Sequence, residues 1–145
     1  MKIISNKLIP FRGFGAMNIL GLVFTRKQVE EITIKTKRHE QIHTIQQYEI
    51  FGAAALISLV LCNIWASWWY LLGVIALPLA LYVLAWLIEL ALPPYDSAYK
   101  DSPFEREAYA NDTNSDYFVT RPLFAWIKYW IPLGDRTWCK TKHIK

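Results

Sequence analysis

Hydrophobic positions along the chain are concentrated rather than spread. From Ile50 to Leu92 the only charged residue is Glu89. As one helix this run would be about 64 Å long at 1.5 Å per residue, roughly twice the thickness of the hydrocarbon core of a bilayer. Two antiparallel spans use that length and one does not. The turn between them is expected at "SWWYLLG", residues 67–73. Trp65, Trp68, Trp69 and Tyr70 cluster there, as aromatic rings do at a membrane–water interface. Pro78 would kink the second span, and Pro93 and Pro94 would end it.

The pattern on either side is different. Residues 16–35, "AMNILGLVFTRKQVEEITIK", contain two β-branched and aromatic runs, "ILGLVFT" and "ITIK", which read as a short hairpin connected by "RKQVEE". Thr36 then stands as the cap of a helix over 37–49. His39, His43, Gln46, Gln47 and Ile50 share one face of it at helical spacing, and only the tolerable Gly52 interrupts its continuation into the apolar run. After the run, "SPFEREAYAND" at 102–112 reads as a second short helix. Ser102 is its cap and Pro103 its first residue. The segment 117–138, "YFVTRPLFAWIKYWIPLGDRTW", mixes aromatic rings with Arg and Lys. Either it lies on the headgroup region or its aromatics pack against the strands. The expected fold class is an α-helical membrane protein with a small α+β part, forming one membrane-associated domain over residues 1–145.

Composition sharpens this picture. Hydrophobic residues make up 54% of the chain and the net charge is +4. No zinc-finger, helix-turn-helix or RNA-binding pattern accompanies the charge, so nucleic acid is not an expected partner. The lipid bilayer is. Lys35, Lys37 and Arg38 precede the apolar run, Lys100 and Arg106 follow it, and the turn carries neither Lys nor Arg. The positive-inside rule then puts both flanks in the cytoplasm. Pro10 and Arg12 interrupt the early apolar stretch, so a signal peptide is not expected. Cys62 and Cys139 form no CxxC motif and imply no disulfide framework.

The candidate chemistry lies in "HEQIH", His39 to His43. Four residues on a helix bring both imidazoles to one face, where both can ligate one zinc ion. Glu40 projects beside them and can take a proton from a water that the metal activates. The bland alternative is a solvated helix face beside the membrane. A catalytic zinc usually has a third protein ligand and one open position. His143 lies near the C-terminus and is a poor ligand. Glu89, Asp96, Asp101, Glu105, Glu107, Asp112 and Asp116 are the available carboxylates. Glu107 would point about 200° away from Glu105 on a helix, so the two cannot serve one ion. Glu105 also completes a capping box with Ser102, which would occupy its carboxylate. Gln46 and Gln47 read either as hydrogen-bond partners of a ligand or as a polar helix face.

"HEQIHTIQQ" followed by "SPFEREAYAN" resembles the gluzincin group of zinc metallopeptidases, in which a helix with HExxH is followed by a helix bearing a glutamate ligand. The resemblance implies zinc held by His39, His43 and Glu105, with Glu40 as general base. Tyr109 stands where that group usually carries an acidic residue. The chain also resembles a small family of bacterial integral membrane proteins with "AMNxxGxxF", an HExxH helix, an apolar hairpin and "FEREAYAN". That second likeness implies the bacterial inner membrane but no activity. The expected function is a membrane-embedded zinc-dependent hydrolase, of peptidase type, acting on a peptide or membrane-protein substrate. The alternatives are hydrolysis of a non-peptide substrate and a non-catalytic membrane scaffold. A strand such as "LGLVFTR" would offer an edge to an extended peptide.

Overall fold

The computed structural model describes residues 1–6, 16–91 and 102–130, without the side chains of Trp86, Glu89 and Leu90. The candidate residues Asp96, Asp101 and His143, Lys100, and the side chain of Glu89, lie outside the described set. Three strands come first: β1 (Lys2–Ser5), β2 (Ala16–Ile19) and β3 (Leu22–Thr25). They form one sheet in the order β1-β3-β2, with β1 parallel and β2 antiparallel to β3.

The hairpin is shifted from its expected place. Its turn is Leu20–Gly21, with φ of 48° and 85°. Two positive φ angles in a two-residue loop make the turn whose twist matches paired strands. Leucine is costly there, and α1 anchors it. Gln47 Oε1 accepts from Leu20 N at 2.5 Å, and Tyr48 Oη donates to Leu20 O at 3.0 Å. Gly21 is required twice over. Its φ suits glycine, and a Cβ there would lie 3.2 Å from Thr44 Cγ2 and from Tyr48 Oη. "ITIK" is not a strand. Thr33, not Thr36, caps α1, its side chain accepting from Thr36 N. β3 is central, so it offers no edge to a peptide, contrary to expectation.

Helix α1 (Ile34–Trp65) is continuous through the polar motif and into the apolar run. A 3₁₀ turn at Trp68–Leu72 leads into α2 (Gly73–Ala91), which contains Pro78. The reversal therefore falls where the aromatic cluster placed it. Gly73 lets the two helices close at the turn, since a Cβ there would meet Ser58 Oγ at 2.6 Å. Both helices are long and apolar enough to cross a membrane. Leu56, Ile57, Leu59, Val60, Leu79 and Leu84 are among their exposed side chains.

Helix α3 (Pro103–Asn111) starts as expected, with Ser102 Oγ accepting from Glu105 N at 3.3 Å. Its residues Pro103 to Ala108 are all buried. It is a buried helix, wedged between α1 and the chain that follows. That chain comprises α4 (Tyr117–Thr120) and a 3₁₀ turn at Ala125–Tyr129. The core sits under this wedge: Ile50, Ala85, Phe104 and Trp126, flanked by Leu81, Tyr82, Phe124 and Trp130. The aromatics of 117–130 thus pack against α3 and the base of the hairpin. In Phe104–Trp126 the ring centroids are 5.0 Å apart. Of the two alternatives for 117–138, packing on the strands does not hold for these described aromatics, and residues 131–138 lie outside the described set.

Candidate metal centre

One helical turn separates His39 from His43 on α1, and both rings face α3. Glu105, in the first turn of α3, projects between them. Its Oε2 lies 3.3 Å from His39 Nε2 and its Oε1 lies 3.3 Å from His43 Nε2. The two Nε2 atoms are 3.1 Å apart. These three side chains form a group able to hold a metal ion. Glu105 thus keeps only one half of its capping box. The Ser102 hydroxyl caps the helix, while the carboxylate is directed at the imidazoles.

The spacing can be tested against ligand geometry. A tetrahedral ion with bonds of roughly 2.0–2.1 Å separates its ligand atoms by about 3.3–3.4 Å. The two Nε2 atoms, 3.1 Å apart, come near that spacing, while each imidazole faces its own oxygen of the Glu105 carboxylate at 3.3 Å; one ligand atom from each of the three residues lies within 4.8 Å of the others. Among the described residues no fourth His, Cys, Asp or Glu joins this group.

The tautomer of His43 follows from its neighbour. Gln46 is fully buried, and its amide nitrogen donates to Phe104 O at 3.0 Å and to Glu107 Oε2 at 2.9 Å. Its Oε1 must therefore face His43 Nδ1, 2.8 Å away, and Nδ1 carries the proton. In the neutral ring the lone pair then sits on Nε2, toward Glu105 and His39. Gln47, the other glutamine weighed for this role, serves the hairpin instead. Its Nε2 donates to Asn18 O at 2.9 Å.

His39 has a longer-range partner. Its Nδ1 lies 3.9 Å from Asp112 Oδ2, which is also 3.6 Å from Lys35 Nζ. At 3.9 Å this is an ion-pair distance and not a hydrogen bond, so Asp112 places a carboxylate on the Nδ1 side of His39 without bonding it. Sequence reasoning placed Asp112 only among the ligands. The Tyr109 ring packs on His39, with centroids 4.6 Å apart. Burial first, then the carboxylates of Glu105, Asp112 and Glu40, push its phenol up to about 12, so it remains a proton donor beside the site.

Glu40 is held from the other side by the sheet. Asn18 of β2 donates from Nδ2 to Glu40 O at 2.5 Å and to Thr44 Oγ1 at 2.9 Å. Its Oδ1 accepts from Gly21 N at 3.1 Å. Asn18 is therefore the link between hairpin and motif, and no sequence rule singled it out. Burial raises the Glu40 carboxyl above its usual range, against the opposing charges of His43 and His39, with Glu105 adding to the rise. In Glu105 burial is outweighed by hydrogen bonds and charge from His39 and His43, which hold it well below the usual carboxylate range.

Glu107 points away from the cluster, as its place on the helix requires. Its Oε1 accepts from Tyr117 Oη at 2.9 Å and Arg121 Nε at 2.6 Å. Arg121 also binds Glu49 through Nη1 and Nη2, at 2.5 and 3.0 Å. Glu49 Oε1 accepts once more, from Phe124 N at 3.0 Å. This buried triad fastens α1, α3 and the 117–124 segment together. Its members lie 14 and 72 residues apart, and the sequence carried no signal of it. Asp116 lies exposed at the cap of α4, away from the cluster. The chain matches no family model, no curated protein and no solved structure, so the centre is described from its own geometry.

Proposed function

We propose that the chain is a membrane-embedded zinc-dependent hydrolase of gluzincin-like peptidase type, acting on membrane-associated substrates. The observation that carries this reading is the convergence of His39 Nε2, His43 Nε2 and the Glu105 carboxylate, one ligand atom from each lying within 4.8 Å of the others. Two imidazoles and one carboxylate with an open position are the donor set of catalytic zinc. When bound there, zinc would lower the pKa of water at that position and polarise a carbonyl group.

The chain's own residues supply the rest. Gln46 fixes the His43 ring, so its lone pair is presented without rearrangement. Glu40 lies close enough for His43, His39 and Glu105 to act on its charge, and burial makes its carboxylate a readier base. Tyr109 offers a hydroxyl on the His39 side. The site is close to the membrane. His43 precedes Ile50 by seven residues, or about 10 Å along the helix axis, so substrates held at the headgroups come within reach. The excess of Lys and Arg on this side argues for a cytoplasmic site in a bacterial inner membrane.

A second reading has one observation in its favour. The same distances suit buried His–carboxylate ion pairs, as in a scaffold that binds no metal. Metal analysis separates the two. Purified protein is expected to carry about one zinc per chain. Glu40→Gln should keep it, whereas His39→Ala, His43→Ala and Glu105→Gln should not. Incubated membranes should show new protein N-termini with the unsubstituted chain and none with Glu40→Gln. Full zinc content in both His→Ala variants would sink the metal site, and equal cleavage by Glu40→Gln would sink its role as base.

A further inference from the structure

The segment Tyr117–Trp130 has two unlike sides. Its inner side is fastened by Arg121, Ala125 and Trp126, all packed or paired against α1 and α3. Its outer side exposes Val119 at 88%, Leu123 at 79% and Ile127 at 54%. They fall on α4, on the turn that follows it and on the 3₁₀ turn at Ala125–Tyr129, so each part of the segment exposes one bulky aliphatic side chain. Lys128 is exposed next to the last of them.

The place of this apolar row is set by Glu49. That side chain holds both Arg121 and the backbone N of Phe124. Glu49 is also the residue immediately before Ile50, where the run without charged residues begins. Arg121 and Phe124, which bracket Leu123, are therefore held at the level of α1 at which the apolar run starts. Three exposed bulky aliphatic side chains on a segment anchored at that level, with an exposed lysine beside the last of them, have the composition of an interfacial element. Such elements bury their apolar side about 5–10 Å into the headgroup and acyl boundary, while lysine keeps its ammonium in the headgroups.

We propose that residues 117–130 dock on the lipid surface, with Val119, Leu123 and Ile127 entering the leaflet from which α1 emerges. The proposal rests on the hairpin spanning the bilayer and is independent of the metal chemistry. The element meets the bilayer beside the site, and the Arg121 triad is its seat. Docking then holds α3, and with it Glu105, at a fixed height above the membrane.

The test uses the full chain with Cys62→Ala and Cys139→Ala, reconstituted in phosphatidylcholine and phosphatidylglycerol vesicles. Single cysteines replace Val119, Leu123 or Ile127 and carry an environment-sensitive fluorophore. Leu56→Cys reports the hairpin and Ser115→Cys reports water. Lipids brominated on the acyl chain should quench positions 119, 123 and 127 to roughly half, close to position 56, and leave 115 unchanged. Adding Leu123→Asp should remove quenching at 127 and keep it at 56. Quenching at 56 but not at 119, 123 and 127 overturns the docking proposal alone. Protection of the three labels from both brominated lipid and aqueous iodide also overturns it, because a second copy or another part of the chain then covers the row. No quenching at position 56 overturns the membrane reading itself.

Discussion

At the residue scale, Gln46 decides more than any other side chain outside the triangle. It touches both the candidate ligand His43 and the helix that carries Glu105. Gln46→Met keeps length and volume but removes the acceptor for His43 Nδ1 and the donors to Phe104 O and Glu107. Loss of such a partner typically costs about 10–100-fold in metal affinity. Titration against a chromophoric chelator should show that loss with the helical content intact, and unchanged affinity would remove Gln46 from the site. The protons make a second prediction. In His43, burial alone would lower the imidazole pKa from 6.5; hydrogen bonding and charge from Glu105, helped by Glu40 and Gln46, outweigh it and raise the value to about 9. A raised folded pKa stabilises fully below 6.5 and the benefit is lost as pH rises through about 9. Glu105 is depressed from 4.5, so its contribution is present above 4.5 and lost as acid protonates it. Chelator-treated protein should therefore be most stable between about pH 4.5 and 6.5. Metal affinity should have the opposite slope and rise from pH 6 to 9, because metal and proton compete for Nε2. Denaturant titrations with and without zinc across that range would measure both slopes.

At the element scale, the hairpin and α3 brace α1 from different sides. Asn18 and Leu20 tie β2 and the β-turn to Glu40, Thr44 and Tyr48, whereas α3 brings Glu105 and Glu107 to the opposite side. A helix buried all round, as α3 is, cannot place two carboxylates without partners. One is paired with the imidazoles and the other with Arg121. Arg121→Met should leave Glu49 and Glu107 buried and uncompensated. Breaking a buried pair in this way costs about 3–5 kcal/mol, so the α3 contact should open at lower denaturant, and zinc affinity should fall with it. Adding Glu49→Gln and Glu107→Gln to that variant should restore part of the stability. If Arg121→Met alone were neutral, the triad would not be what holds the segment. Arg106, counted among the orienting charges in the sequence, is in fact buried, with Nη1 donating to Tyr129 O at 3.2 Å.

At the scale of the whole molecule, the two long helices and their short reversal put the sheet, the triangle and the triad at one end. The proposed membrane reading then puts the flanks of the hairpin on one side of the bilayer. Cysteines at Lys2 and Ser115 should react with a membrane-impermeant reagent from the same side, and cysteine at Trp68 from the other. Labelling of residues 2 and 115 from opposite sides would defeat the hairpin.

The sequence by itself determined the elements whose causes are local. The charge-free run, the aromatic reversal at 67–73 and the Ser102–Pro103 helix start were all legible, because each follows from composition, or from capping within a few residues. The HExxH spacing placed His39 and His43 on one face for the same reason, and the angle between Glu105 and Glu107 followed from helix geometry alone. The first hairpin was misplaced because its turn is not a strong local signal. Leu20 takes a positive φ only because Gln47 and Tyr48 of a distant helix stabilise it. Likewise β1 pairs with a strand it meets only after the chain has folded back. Whether Glu105 caps its helix or faces the imidazoles could not be read from the sequence, since both roles need the same residue at the same position. Tertiary structure decided it by packing α3 against α1. It also chose Gln46 over Gln47, recruited Asp112 and Asn18, and assembled Glu49, Glu107 and Arg121 across as many as 72 residues. Contacts at that separation depend on how whole helices pack, and no pattern of neighbouring residues encodes them.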